Sequence, residues 1–419
     1  MNKNYKTEIK SRGIQYAELA FSDIYGADKS LIMPIEKFQK SGNVYFDGSS
    51  VKSFAPIKDS DMKLHIEYGR KRVIPWRTDT ILYFCSVRHP DGTPAKAEPR
   101  FILEKQLAGI KQSGIAYKVG AEIEFYLFEG TKPVDESGYF SNLENTPRAL
   151  STIKLAIFYL NKLGIEVGIA HHEVGPGQFE IGFKYSDAVL CAENVFLFKR
   201  AVREAARRNN LTPCFMPKPL KGKAGNGMHI NQSLYAGNKN LFYPEKLEDK
   251  LSEDARHFIA GQLKHAEGLC AIVAPSINSY KRLAPGYEAP TNICWGERNR
   301  SALIRVPYAC DKSGTRIEFR CSDSSANPYL AFAALLAAGI DGISKKMPEP
   351  KPILENAYSG KIKLKQLPPN LGLAISALKK DKTLLAMFGD RMVADIYINS
   401  LTSQWEEHNT IITDFELGR

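Results

Sequence analysis

The sequence predicts an α+β protein of two domains, and three observations carry that expectation. Strand-like runs crowd the first part of the chain, and a polar, proline-bearing stretch closes it. Beyond that stretch, strand-like runs alternate with amphipathic helices to the end, with no internal repeat. At 419 residues the chain also exceeds what one hydrophobic core usually supports.

Residues 14–35, IQYAELAFSDIYGADKSLIMPI, alternate in polarity around a DIYG turn, which is a hairpin signal. Further strands are expected from Arg72 to Ile74 and from Ile81 to Val87. The stretch from His89 to Arg100, HPDGTPAKAEPR, reads as the joint, dividing the chain into 1–94 and 95–419, with a helix beginning at Phe101. KVGAEIEFYLF then reads as a strand, Arg148 to Leu163 as a helix, EVGIAHHEVGPGQFEIGF as strand, turn and strand, and Asp187 to about Arg208 as a helix. MHINQSL and TRIEFRCS read as strands. Asn327-Pro328 opens an alanine-rich helix expected to stop near Gly339 to Gly342, with Asn as the cap and Pro in the first turn. Lys345 to Pro352 reads as a surface loop.

Hydrophobic content of 43% with 25% charged residues is ordinary for a soluble enzyme. No apolar run approaches the roughly 20 residues that span a bilayer. The opening MNKNYKTEIKSRG is polar and does not read as a secretory signal, so a cytoplasmic protein is expected. The seven cysteines are scattered and lack CxxC spacing, which favours reduced thiols over disulfides or a zinc site. A net charge of +11 raises nucleic acid as a partner. The densest basic cluster (Lys199, Arg200, Arg203, Arg207, Arg208) falls on one expected helix without interleaved aromatics, however, so a solvated helix face or a subunit contact is the stronger reading.

The chemistry is carried by acids. Glu122 and Glu124 are two apart on a strand, so both leave the same face while Ile123 and Phe125 leave the other. Adjacent carboxylates repel and mark a metal or acid/base site, unless the face is merely solvated. Glu173 and Glu180 flank the Gly175-Pro176-Gly177 turn and would return to the same end of an antiparallel pair. In Arg316-Ile317-Glu318-Phe319-Arg320 two guanidiniums and a carboxylate share a face, suited to phosphate oxygens beside a metal or to a surface ion-pair ladder. His229, in GNGMHINQSL, adds one imidazole. Five carboxylates and one His form a hard donor set that favours Mg²⁺ or Mn²⁺ over zinc, and cations beside arginines suit phosphoryl transfer from ATP. No Walker loop or kinase glycine loop is present. Further guanidiniums lie in NRSALIR and YKR.

VGAEIEFYLF, HHEVGPGQFEI, FMPKPLKGKAGNGMHINQSL, NSYKRLAPGYEAP, NRSALIRVP and RIEFRCSDSSANPYLAFAALLAAGIDGI resemble, in order, the signature blocks of the glutamine synthetase family. FDGSSV and SDMKL resemble its N-terminal domain, so the likeness runs from about residue 14 onward. The resemblance implies a small β-grasp domain over 1–94 and a larger, guanido-kinase-like catalytic domain over 95–419, with a curved antiparallel sheet flanked by helices. It also implies a homo-oligomeric ring, a hexamer or double hexamer, with active sites between neighbouring subunits. Carried over motif by motif, it places one metal on Glu124, Glu173 and Glu180 and the other on Glu122, His229 and Glu318. Glutamate would be held by Arg282, Arg320 and the backbone at Gly225, with Arg300 facing both glutamate and the transferred phosphoryl group. ATP would meet Asn231, Ser233, Arg305 and Arg316. Asp47 and Ser50 of an adjoining subunit, with Tyr139 and Glu288, would line the ammonium pocket. Asp47, Glu288 and Arg300 would be catalytic.

Three departures from the family pattern stand out. Ala224-Gly225-Asn226-Gly227 replaces the more usual Asn-Gly-Ser-Gly. The stretch from Phe128 to Gly138 is short where the family commonly inserts a longer loop, and the C-terminal ITDFELGR is slightly abbreviated. The resemblance therefore implies an ATP-dependent ligase for glutamate and ammonia. A γ-glutamyl ligase for an organic amine or polyamine, and a non-catalytic homologue with a regulatory or scaffold role, are the alternatives.

Overall fold

A computed structural model describes residues 9–52, 54–55, 57–245, 250–309, 311–414 and 416–418. The chain forms two compact units. The first takes Met1–Lys105, Phe125–Cys214 and Asn327–Tyr329; the second takes Gln106–Glu124, Phe215–Ala326 and Leu330–Arg419.

In the first unit, strands β1 (Tyr16–Ser22), β2 (Asp28–Pro34), β3 (Val44–Asp47), β4 (Asp61–Ile74) and β5 (Arg77–Arg88) form a sheet in the order β2-β1-β5-β4-β3. The central pair β1 and β5 is parallel and the other pairs are antiparallel. Strict two-residue alternation builds its core. Ala17, Leu19 and Phe21 of β1, Met62, Leu64 and Ile66 of β4, and Ile81, Tyr83, Cys85 and Val87 of β5 share one apolar cluster with Ile35 and Phe38 of helix Ile35–Ser41. The DIYG turn forms because the Asp23 carboxylate accepts from the backbone N–H of Tyr25 at 3.0 Å and of Ala27 at 2.9 Å. Gly26 there has φ +84°, and a Cβ would sit 3.0 Å from the Cα of Asn327.

The remainder of this unit contains strands β6 (Ile115–Glu129, entering the unit at Phe125), β7 (Lys132–Pro133), β8 (Val167–His172), β9 (Gln178–Phe183), β10 (Ser186–Asp187) and β11 (Thr212–Cys214). Helices Pro147–Lys162 and Ala188–Arg208 accompany them. The latter helix carries the basic cluster, much of which is spent inside the unit. Arg200 donates to both carboxylate oxygens of Asp28 at 2.5 and 2.6 Å and to Glu18 at 2.7 Å, and Arg207 and Arg208 pair with Glu204 at 2.9 and 2.7 Å. On the same helix the buried Glu193 accepts from Arg100 at 2.7 Å and Arg70 at 3.2 Å.

In the second unit, strands β12 (Met228–Ala236), β13 (Lys239–Asn240), β14 (Trp295–Glu297), β15 (Ile304–Val306) and β16 (Ile317–Phe319) join the first part of β6 in the order β14-β15-β16-β12-β6. TRIEFRCS contributes only three strand residues. Beyond Phe319 the carbonyls of Arg320 and Cys321 accept from the Arg282 side chain, and that of Ser322 accepts both from it and from the Met228 N–H at 2.9 Å.

Helix Pro328–Ser344 begins as expected, with the Asn327 Oδ1 accepting from the Tyr329 N–H at 3.0 Å, but it runs through Gly339 and Gly342. Those glycines are packing positions rather than a stop. A Cβ on Gly342 would meet the His257 carbonyl at 2.1 Å, and one on Gly339 would meet the Phe258 ring at 2.2 Å. On the facing helix Glu253–Lys264, a Cβ on Gly261 would meet the Ala338 carbonyl at 2.1 Å. At the end of that helix, His265 is held between two carboxylates, with Nδ1 2.6 Å from Asp381 and Nε2 3.1 Å from Asp341. Burial opposes the imidazolium, but Asp381 and Asp341 outweigh it and raise the pKa above the ordinary 6.5.

The six described cysteines are free thiols, and Cys310 lies outside the described residues. Among the described residues, no helix is long and apolar enough to cross a membrane.

Gly261→Ala forces a methyl into backbone that cannot yield, so it should lower stability by about 2 kcal/mol or more despite alanine's better helix propensity; an unchanged or higher melting temperature would refute the close crossing. Because the folded pKa of His265 is raised, its ion pairs stabilise fully below pH 6.5 and fade as pH rises through the folded value. The stability gap between wild type and His265→Gln should therefore be larger near pH 6 than near pH 9. A gap independent of pH in denaturant titrations would contradict the assignment.

Candidate active site

Strand register assembles the acidic site of the second unit. β12 lies antiparallel between β6 and β16, with His229 opposite Glu122 and Asn231 opposite Glu318. Alternation sends Glu122 and Glu124 to one face of β6 and leaves Ile123 fully buried on the other. His229 Nδ1 lies 3.7 Å from Glu122 and 3.5 Å from Glu318, and Nε2 lies 3.8 Å from Glu124. One ligand atom each from Glu122, His229 and Glu318 falls within 4.8 Å of the others.

Arginines and amides fix these acids. Glu318, 1% exposed, accepts from Arg320 at 2.5 Å and from Arg305 at 2.8 Å. Burial pushes its pKa up, but Arg320, His229 and Arg305 together bring it down to about 2. Arg316 Nε donates to the Asn231 Oδ1 at 2.9 Å, and the Asn231 Nδ2 donates to Glu122 at 3.0 Å. Burial likewise opposes the Glu122 carboxylate, yet His229 holds its pKa below the ordinary value. Glu124 accepts the Gly227 N–H at 2.6 Å. Ser233, buried, continues the same face of β12.

The first unit holds a second acidic group on the β8–β9 hairpin, where His171 pairs with Glu180. The Gly-Pro-Gly turn is obligatory here: a Cβ on Gly175 would meet the Tyr126 hydroxyl at 2.0 Å, and Gly177 has φ +64°. Glu173 N–H closes the turn on the Gln178 carbonyl at 2.7 Å. His171 Nε2 is 3.3 Å from Glu180 and its Nδ1 is 3.7 Å from Glu173, and the three ligand atoms lie within 4.8 Å of one another. His171 was not singled out by sequence. The doublet His171-His172 gave no means of telling which ring joins the acids, since His172 turns to Asp135 at 3.0 Å.

The other expected site residues fall into two groups. Arg282, 2% exposed, donates to the carbonyls of Cys321 at 2.9 Å, Arg320 at 3.1 Å and Ser322 at 3.2 Å, so its guanidinium already braces the end of β16. It also packs on the glycine loop: a Cβ on Gly225 would meet the Pro217 carbonyl at 2.4 Å, and one on Gly227 the Arg282 guanidinium at 2.6 Å. Glu288, with φ +61°, and Arg300 are exposed on loops. In the first unit Asp47 is exposed and accepts from the Ser49 N–H at 2.9 Å, the Ser49 hydroxyl at 2.6 Å and the Ser50 hydroxyl at 2.5 Å. Ser49 and Ser50 hold its pKa below the ordinary value. The Tyr139 ring lies 5.7 Å from His171.

Comparison with known proteins bears directly on this arrangement. Residues 96–419 match the family model described as glutamine synthetase, catalytic domain, and residues 13–90 match glutamine synthetase, beta-Grasp domain. The chain belongs to the glutamine synthetase family. It is 39% identical to a glutamine synthetase of Thermus thermophilus, covering 98% of this chain and 96% of that protein. It is 38% identical to one of Methanosarcina mazei, covering 98% and 95%. Among solved structures, it superposes on one described as "GmaS/ADP complex-Conformation 1" with a TM-score of 0.91 at 29% identity, covering 98% and 97%. The first unit's five-stranded sheet is the β-grasp part of the family fold, and carboxylates with imidazole form groups that suit a hard divalent cation.

The guanidinium of Arg282 yields a test of its structural share. Arg282→Met removes three hydrogen bonds to buried carbonyls, of which that of Ser322 keeps the Met228 N–H, and should cost about 2 kcal/mol, read as a lower melting temperature of the ligand-free protein. An unchanged melting temperature would show that the three bonds carry no stability.

Proposed function

We propose that this chain is an ATP-dependent ligase that joins ammonia to the γ-carboxylate of glutamate through γ-glutamyl phosphate, the reaction of a glutamine synthetase. The observation that carries this reading is the buried group Glu122, His229 and Glu318, with two guanidiniums on the same carboxylate, in a chain similar over nearly its whole length to glutamine synthetases.

Magnesium or manganese suits the donors. Glu122, His229 and Glu318 would hold one cation, and Glu124, Glu173 and Glu180 another. Divalent cations bound there supply neutralisation of the phosphate oxygens of ATP. The chain's own residues do the rest. Arg316 and Arg305, with Asn231 and Ser233, orient the nucleotide. Arg320, with the backbone at Gly225 and the Arg282 that braces it, positions glutamate so that its γ-carboxylate meets the γ-phosphate. Arg300 offsets charge on the phosphoryl group as it transfers. Ammonium is not a nucleophile. Asp47, an anion whose low pKa keeps it ionised, binds the cation and accepts its proton, while Glu288 closes the pocket with Ser50 and Tyr139.

Asp47 and Ser50 come from a neighbouring subunit in this proposal, so a ring, hexameric or doubly hexameric, is part of it. A domain boundary near residue 94 and a cytoplasmic location belong to the same reading. An organic amine as acceptor is the competing reading. Ala224, apolar where the family more usually carries Asn, and the exposed Phe140, edge-on 4.8 Å from His171, both favour it as carbon surface suited to a larger substrate.

An amine panel decides between them. With glutamate, ATP and Mg²⁺, ammonium should exceed methylamine and ethanolamine by at least about tenfold in kcat/KM, since an alkyl group leaves pocket polar groups unpaired. Asp47→Ala should depress amide formation far more than ATP binding. Equal or better turnover with an organic amine would replace ammonia as the acceptor.

A further inference from the structure

We infer that Lys218 is a positioning residue for the Glu288 loop: its ammonium, seated on the face of the Tyr287 ring, latches that loop to the glycine-rich segment beneath it. The inference rests on the reading of Glu288 as part of the acceptor pocket.

The geometry comes from four contacts within the second unit. Lys218 Nζ lies 3.2 Å from the centroid of the Tyr287 ring, well inside the range of a cation–π contact. The same ammonium donates to the carbonyl of Lys223, at the far side of its own loop. The backbone of Lys218 is fixed in turn, its N–H donating to the Asn278 Oδ1 at 2.6 Å and its carbonyl accepting from the Asn278 Nδ2 at 3.1 Å. The lysine is therefore a rigid peg. With only 9% of its surface exposed, it has little water to replace the ring. Burial and the neighbouring Arg282 bring its pKa down to about 8, so the nitrogen is charged at neutral pH yet sits on a face where the charge is costly without the ring.

The loop it grips needs a grip. Gly286 has φ +88° and Glu288 has φ +61°, so two of three successive residues around Tyr287 are left-handed, one of them without glycine's freedom. Glu288 itself is exposed, while Ala289 beside it is 2% exposed. A backbone held in that shape presents the Glu288 carboxylate in a fixed direction, and Tyr287 is the side chain through which the glycine-rich segment enforces it. The ring and the ammonium form an adjustable contact, not a covalent one, which suits a loop that has to admit a substrate.

The test is a mutant cycle read with two nucleophiles. Lys218→Met and Tyr287→Leu should each lower kcat for glutamine formation about five- to thirtyfold, the range of a partly desolvated cation–π contact, with the KM for ATP within about twofold of wild type. The double variant should be no slower than either single one, because both remove the same contact. Tyr287→Phe, which keeps the ring, should recover most of the rate. Hydroxylamine is uncharged at neutral pH and asks less of Glu288, so the loss with it should be smaller. Losses that multiply in the double variant, or equal losses with both nucleophiles, overturn the latch. A slow Glu288→Gln enzyme beside an unimpaired Tyr287→Leu overturns this inference alone. A Glu288→Gln enzyme with full activity overturns the reading of the loop and the inference with it.

Discussion

An ionised carboxylate taken out of water costs several kcal/mol unless charge and hydrogen bonds replace the lost hydration, and Glu318 imposes that constraint on the second unit. Its partners Arg320, Arg305 and His229 each have to be held where they are, and their holders are the strands themselves. Arg305 comes from β15 and His229 from β12, the two neighbours of β16, so the ladder that forms the sheet also sets the distances within the site. An arrangement with one member removed leaves a buried charge unmatched. This is why a site of this kind is supported by a rigid sheet.

The supporting layer repeats the logic with neutral groups. Asn231 passes the charge of Arg316 to Glu122 through an amide, and Arg282 collects the carbonyls released where β16 ends. Around them, glycines mark where backbone has to approach something else. Gly175 meets Tyr126 at the acidic hairpin, Gly225 meets Pro217 at the glycine-rich loop, and Gly261 meets the helix that crosses it. The latch from Lys218 to Tyr287 extends the same network from the buried sheet to a loop with an exposed acid.

Much of this was legible in the sequence because alternation is a local signal. The spacing of Glu122 and Glu124, the Gly-Pro-Gly turn between Glu173 and Glu180, and the Asn-Pro start of helix Pro328–Ser344 each predicted the observed geometry from neighbouring residues alone. The errors arose where a tertiary contact decides. Gly339 and Gly342 look like a helix stop until the helix Glu253–Lys264 is seen against them. The strand in TRIEFRCS is cut short by a guanidinium from Arg282, which is distant in sequence. The basic face of helix Ala188–Arg208 looks free because Glu18 and Asp28 lie far earlier in the chain. Asp47 and Glu288 carried no local signal and entered only through resemblance to the family.

On the proposed function these acids hold two cations next to ATP. Direct titration of the full-length protein with Mn²⁺ in the presence of ATP, followed by the loss of the free-ion electron paramagnetic resonance signal, tests it most simply. Saturable binding of two ions per chain is expected, with one lost in Glu122→Ala and the other in Glu173→Ala. Stoichiometry that is the same in wild type and both variants would contradict it.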